Sequence, residues 1–195
     1  IGGSSEDSSG YATELDAVLE AIDRQVLINP IALKEFFWDM FVVDAFIGNG
    51  DRHLDNWGLI EKTNAPLSPA PVYDCGSSLS PLATDDEKAA FLSDGTTFKN
   101  VEYNLCSAYR YQGKRTRYHE IFKNPPEDLH RAIQRIVPRI KTASAQIDRL
   151  IDSTEGLSDI SKEYMKKSLL LRRELILLPA LKKCNKRDES RGFAR

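Results

Sequence analysis

The stretch from Ile31 to Ile47 constrains the fold more than any other part of this sequence. Phe37, Met40, Phe41, Val43, Ala45 and Phe46 make it apolar on most sides, and it stops abruptly at Gly48-Asn49-Gly50. A helix with so little polar surface belongs inside a domain, with the rest of the chain built around it. The Gly-Asn-Gly turn then delivers the chain from that buried helix into a polar segment, Asp51 to Asn56. A short strand-like run follows at Trp57 to Ile60, then a turn over Asn64 to Pro71 with three prolines, then a second short strand at Val72-Tyr73. The second strand closes on Asp74-Cys75-Gly76-Ser77-Ser78. The expected unit is a buried helix followed by a hairpin with a polar, acidic loop at each end.

The rest of the chain reads as mainly helical. Leu15, Val18, Leu19, Ile22 and Val26 recur at three- and four-residue steps, which predicts an amphipathic helix from Tyr11 to about Leu27, broken at Asn29-Pro30. Residues 81–115 read as irregular with short helical pieces, one of them Asn104 to Tyr111. Further helices are expected over Pro125 to Ile136, from Arg139 to Ile151 after an interruption at Pro138, and from Ser158 to about Lys183, bent or ended by Pro179. Ile1 to Gly10 is Gly/Ser/Asp-rich and reads as a flexible linker ahead of one domain over residues 11–190. With 195 residues the chain has room for one domain and a substantial core. Because it opens on Ile1 rather than methionine, it is read as a piece of something longer.

Composition narrows the function classes. The net charge of -2 gives no global electrostatic case for direct nucleic-acid binding or for an anionic membrane. No apolar run approaches the roughly 20 residues of a membrane-spanning helix. The cysteines Cys75, Cys106 and Cys184 are odd in number and far apart, which argues against a disulfide framework or structural zinc and fits a reducing, cytoplasmic setting.

Chemistry concentrates at the two loops. Magnesium is a hard cation that takes one or two carboxylates plus substrate phosphates. Asn56 offers a neutral amide oxygen and Asp74 an anionic one, and a hairpin brings its own ends close together. Asp51 would then stand beside the metal without ligating it, free to orient a hydroxyl and accept its proton, the arrangement phosphoryl transfer needs. Other readings of the same residues stay open. Asp51 and Asp55 also suit turns or helix caps, Asn56 a turn, Asp74 an N-cap, and His53 a structural hydrogen bond.

The residues also carry a family resemblance. Gly50-Asp51-Arg52-His53-Leu54-Asp55-Asn56 resembles the G-D-R-H-x-x-N catalytic loop of HipA-like kinases and of phosphoinositide lipid kinases and their protein-kinase relatives. Asp74-Cys75-Gly76 resembles the D-F-G metal element, with cysteine in place of phenylalanine. Phe46 to His53 together with Ala70 to Leu79 is more similar to bacterial HipA-like serine/threonine kinases. The likeness spans about Ile31 to Leu79 and is only generally helical beyond.

That resemblance implies a mainly α, protein-kinase-like C-lobe whose short β-hairpin carries the catalytic and metal loops. It implies Mg2+ and ATP as cofactors and a protein serine/threonine substrate. Asp51 would be the catalytic aspartate, with His53 near the transferring phosphate or bracing the loop. Asn56 and Asp74 would hold the metal, Leu59 and Ile60 would floor the adenine, and Arg52 would make internal salt bridges. An antitoxin or other regulatory protein is an implied partner. Nothing before Asp51 supplies the phosphate-covering loop or strand-borne lysine of the other lobe, since Lys34 sits in a helical pattern. The piece alone is therefore expected to be inactive. A degenerate kinase-fold binding module and a phosphoinositide-type lipid kinase are the rival readings.

Two further features stand apart. Tyr103, Tyr109, Tyr111 and Tyr118 alternate with Arg110, Lys114, Arg115 and Arg117, a candidate substrate or phosphopeptide surface. The leucine-rich, basic stretch from Lys166 to Arg195 reads as a solvated helix face packed by its leucines, or as a nucleic-acid or partner surface.

Overall fold

A computed structural model describes residues 13–192, so the linker expected over Ile1 to Gly10 lies outside the described residues. Helix α1 (Leu15–Arg24) buries Leu15, Val18 and Ile22, the stripe its periodicity predicts. Helix α2 (Pro30–Ile47) starts where Asn29 accepts the Ile31 N–H at 2.9 Å, with Pro30 in the first turn, where it has no donor to lose. It ends at Gly48, whose φ of +72° is a left-handed cap. Phe37, Trp38, Phe41, Val42 and Ala45 are almost wholly enclosed, so α2 is the central helix. It packs against α6 (Glu127–Ser153) through Leu129, Ile133, Val137 and Ile140.

After α2 the chain makes one 3-10 turn (Leu54–Asn56) and enters the hairpin of β1 (Leu59–Ile60) and β2 (Ser68–Pro69), with Leu59 opposite Pro69 and Ile60 opposite Ser68. The second strand thus lies earlier than the Val72-Tyr73 expected. Ala70 donates to the Gly58 carbonyl at 2.8 Å as the last ladder bond, and Pro71, which has no N–H, stops the pairing. The backbone at Tyr73 is then available for a different bond, described below.

Helices α3 (Asp85–Ser93) and α4 (Gly95–Tyr103) begin at side-chain caps, Thr84 and Asp94. The helical piece expected over Asn104 to Tyr111 is instead strand β3 (Cys106–Tyr111), paired antiparallel with β4 (Lys114–Arg117). Buried Ser107 and Tyr109 alternate with Ala108 and Arg110, a period of two, and Gln112-Gly113 turns the hairpin with φ of +54° and +76°. After α5 (Tyr118–Lys123), helix α6 runs unbroken through Pro138. An interior proline costs a helix about 3 kcal/mol, whereas each large aliphatic side chain buried on α2 returns about 1.5–3 kcal/mol, so tertiary packing carries α6 through. Helix α7 (Asp159–Arg172) widens into a π-helical turn (Arg173–Leu177) and continues as α8 (Leu178–Gly192), passing Pro179 rather than ending there.

Helix α8 is clasped to α6 by polar contacts. Asp188 is hydrogen-bonded to His130 at 3.0 Å and accepts from Gln134 at 2.7 Å, while Glu127 pairs with Arg187 and Arg191 at 3.2 and 3.3 Å. The His130 and Gln134 bonds hold the Asp188 carboxyl below its usual range, and Arg191 does the same for Glu127. Carboxylates depressed in the folded state stabilise it above their unfolded values, near pH 4, and that contribution is lost as pH falls through the folded ones. Hydrogen exchange below pH 4 should therefore show α8 losing protection before α2 and α6. Simultaneous loss in all three helices would count against this clasp.

Candidate functional site

The site is built from the last turn of α2 outward. Asp44 is buried in that turn at 1% exposure, and Arg52, eight residues on, is equally buried and meets it with two bonds, Nε to Oδ2 and Nη2 to Oδ1, each 3.0 Å. Burial pushes the Asp44 carboxyl up against the opposing pull of Arg52 and Asn49. Burial also acts to lower the Arg52 guanidinium, but the hydrogen bonds and charge of Asp44 hold it above its ordinary value. Asn49 donates to Asp44 Oδ1 at 3.0 Å and accepts from the Asp51 N–H at 3.1 Å and from Ser77 Oγ at 2.5 Å. The Tyr118 hydroxyl donates to the Asn49 carbonyl at 2.5 Å.

Arg52 does more than pair with Asp44. Its Nη1 donates to the Asn56 carbonyl at 2.6 Å and also to the Tyr73 carbonyl, and its Nη2 reaches Cys75 Sγ at 3.3 Å. Two acceptors on one nitrogen lie within about 6 Å of each other. One buried guanidinium therefore joins the backbone at Asn56 to the residue preceding Asp74. The Tyr73 hydroxyl ties the same loops a second time, donating to the Asp55 carbonyl at 2.8 Å.

The residues assigned to chemistry sit differently from those that hold the loops. Asp51 and Asp74 are exposed, and neither carboxylate has a hydrogen-bond or ion partner among the described residues. Asn56 is buried and its amide nitrogen donates to the Asp51 carbonyl at 2.8 Å, which commits the nitrogen and leaves the amide oxygen for another group. Asp74 has a φ of +50°, a conformation few non-glycine residues adopt and one that recurs at functional sites. His53 is half-exposed, 3.8 Å from Asp55. Leu59 is half-buried and packs on the core under β1, with Ile60 half-buried beside it. Two cavities, one including Ser144, Asp148 and Lys166 and the other Tyr103, His119 and Lys183, share no residue with these loops.

Several supporting residues lay beyond sequence reasoning. Arg172 of α7, also buried, donates to Glu102 at 2.5 Å and to the Phe46 carbonyl at 3.3 Å, so a cation from the far end of the chain sits at the carboxy-terminal end of α2. Ser168 completes the Glu102 bonds at 2.9 Å. A Cβ at Gly48 would stand 2.4 Å from the Arg172 guanidinium carbon, so Gly48 is required by this contact as well as by its φ. Asp44 did carry a signal, since it is the one charged residue of the apolar half of α2, Met40 to Ile47, and an acid there needs a buried partner. Nothing in the local sequence marks Arg172.

Asp51 and Asp74 are thus exposed carboxylates on two loops that one buried arginine clamps together. Among the described residues no group of three or more His, Cys, Asp or Glu side chains is arranged for a metal. A pair of one amide and one carboxylate oxygen is nevertheless what magnesium uses when substrate phosphates complete its shell.

No protein-family model matches the chain. The chain is 37% identical over 175 residues to the serine/threonine-protein kinase CtkA of Helicobacter pylori, a match covering 88% of this chain and 53% of that kinase. It thus spans about half the length of the curated relative it matches. The crystal structure of the H. pylori proinflammatory kinase CtkA superimposes with a TM-score of 0.86 at 36% identity, covering 94% of this chain and 67% of that one. The fold is that of a helical, kinase-like C-lobe.

Proposed function

We infer from two facts, that this chain belongs to the family of the CtkA kinase and that its Asp51 and Asp74 loops share one buried arginine, that it is the catalytic C-lobe of a HipA-like kinase. The reaction is transfer of the γ-phosphoryl group of ATP to a protein serine or threonine. The observation that carries the reading is the contrast within the loops. Asp44, Asn49, Arg52 and Ser77 are bonded to one another and to the backbone, while among the described residues the Asp51 and Asp74 carboxylates and the Asn56 amide oxygen have no partner. Free carboxylates held on a braced frame suit charge-based catalysis, because the frame need not reorganise during the reaction.

In this reading Asp74 and the Asn56 oxygen hold Mg2+, which when bound draws the phosphate oxygens and neutralises their charge. Asp51 accepts a hydrogen bond from the acceptor hydroxyl and takes its proton as the phosphoryl group moves. Leu59 and Ile60 offer the apolar surface on which adenine rests, and His53 serves the transferring phosphate or braces the loop. The activity belongs to the whole protein, of which this chain is the part that carries these loops. Mg2+-dependent binding of ATP, measured by calorimetry on the longer natural protein, should weaken at least tenfold in Asp74→Ala while the fold is retained. Undiminished binding in that variant would remove Asp74 from the metal site.

A further inference from the structure

We propose that the cavity between α5 and the π-helical turn is an effector site for a small aromatic anion. It encloses about 420 Å3, a size that suits small ligands. Leu175, Ile176 and Pro179 form an apolar wall. That wall stands on the π-helical turn, where the Leu178 N–H bonds to the Arg173 carbonyl five residues back and the helix widens, a distortion that recurs at functional sites. Its position makes the site an effector site. Tyr103 on the rim adjoins Glu102, and the π-helical turn adjoins Arg172, the two members of the buried pair that meets the Phe46 carbonyl and Gly48. An occupant therefore bears on both elements that carry this pair, and the pair holds the turn that leads into Asp51.

The chemistry of the ligand follows from the polar lining. Tyr103 and His119 are stacked, with ring centroids 4.0 Å apart and 16° between planes, so a flat ring extends a stack already begun. His119 Nδ1 donates to the Tyr103 carbonyl at 2.8 Å, and Nε2 has no partner among the described residues. Lys183 donates to the Lys123 carbonyl at 2.6 Å and to Asn124 Oδ1 at 2.8 Å, both neutral oxygens. The Lys123 ammonium forms no bond or ion pair among the described residues. One carboxylate, Glu120, lines the same cavity, but it accepts the Arg117 N–H at 3.1 Å as the cap of α5 and pairs with neither lysine. Two ammonium groups against one engaged carboxylate leave the cavity cationic, and a carboxylate on the ligand completes them with charge-assisted hydrogen bonds.

Calorimetric titration of the full-length protein with indole-3-acetate should show binding with a Kd of about 1 mM or tighter. Indole-3-acetamide, which keeps the ring and loses the charge, should bind about tenfold more weakly. Cyclohexylacetate, which keeps the charge and loses the aromatic ring, should bind about threefold or more weakly. Lys123→Gln changes an exposed side chain with no partner to lose, so it should weaken indole-3-acetate severalfold without touching the fold. Lys182→Gln, which takes the same charge from an exposed position on α8 outside the cavity, should bind as the parent does. The effector role is read by hydrogen exchange at the Gly48 and Asn49 amides, both of which donate to the Asp44 carbonyl, and exchange there should slow about twofold or more when indole-3-acetate is bound. No binding at about 1 mM, equal affinity for the acid and its amide, an equal loss in Lys182→Gln, or binding that leaves exchange at Gly48 and Asn49 unchanged would each overturn the proposal.

Discussion

Arg52→Met should lower the stability of this domain by about 3–5 kcal/mol, the cost of leaving one member of a buried ion pair without its partner. For a chain of this size that corresponds to a fall in Tm of roughly 6–20 °C. The loss has two sources. Among the described residues Asp44 keeps a buried charge with only the Asn49 amide to answer it, and the Asn56 and Tyr73 carbonyls lose their shared donor. The first source has a pH signature. Burial already pushes the Asp44 carboxyl up, and removing Arg52 raises it further. A carboxyl raised above its unfolded value near 4 binds its proton more readily in the folded state, so stability falls as pH rises through that window. The variant should therefore be less destabilised at pH 5 than at pH 8. Adding Asp44→Leu should recover part of the loss and abolish the pH difference, since no unpaired charge remains. Thermal melts of the two variants at both pH values decide the matter. A loss below about 1 kcal/mol, or a variant no better off at pH 5, would mean that Arg52 does not hold the loops together.

What could be read in the sequence and what could not divide along physical lines. α2 was legible because a helix without a polar face has only one place to go, and Gly48-Asn49-Gly50 ends it by conformational necessity. The loops at Asp51 and Asp74 were legible as spatial neighbours because a hairpin returns the chain upon itself. The hairpin's register was not: three prolines left several ways to pair, and the missing N–H of Pro71 chose Ser68–Pro69 over Val72-Tyr73. The strand at Cys106–Tyr111 was hidden because tyrosines and arginines fit either period, and only the burial of Ser107 and Tyr109 decides between them. Proline was overweighted at Pro138 and Pro179, where tertiary contacts and a π-helical turn absorb its cost. Arg52 was expected to make internal salt bridges, but its partner Asp44 and its second role toward Tyr73 depend on geometry that spacing does not encode. The Arg172–Glu102 pair at the end of α2 joins residues 70 apart and leaves no local trace at all.

Asp51→Asn separates chemistry from structure as cleanly as this site allows. The Asp51 carboxylate is exposed and has no partner among the described residues, while its backbone N–H and carbonyl, which hold Asn49 and Asn56, are unchanged by the substitution. Stability should then stay within about 0.5 kcal/mol of the parent, as for most surface changes. Mg2+-dependent ATP binding should also persist, because in the proposed arrangement Asp51 stands beside the metal and not on it. The rate of phosphoryl transfer by the full-length protein should nevertheless fall about 10²–10⁴-fold, the range typical of losing a positioned general base, or about 3–5 kcal/mol of barrier. An asparagine can still accept a hydrogen bond from the hydroxyl but cannot take its proton. The deficit should therefore appear in kcat, with KM for the protein substrate little changed. Asp74→Ala should show the opposite pattern, failing at nucleotide binding first. If Asp51→Asn instead lost ATP affinity and kept its turnover at saturation, the two aspartates would have to exchange roles. Asp51 would then be the metal ligand, and the acceptor hydroxyl would approach from the Asp74 side.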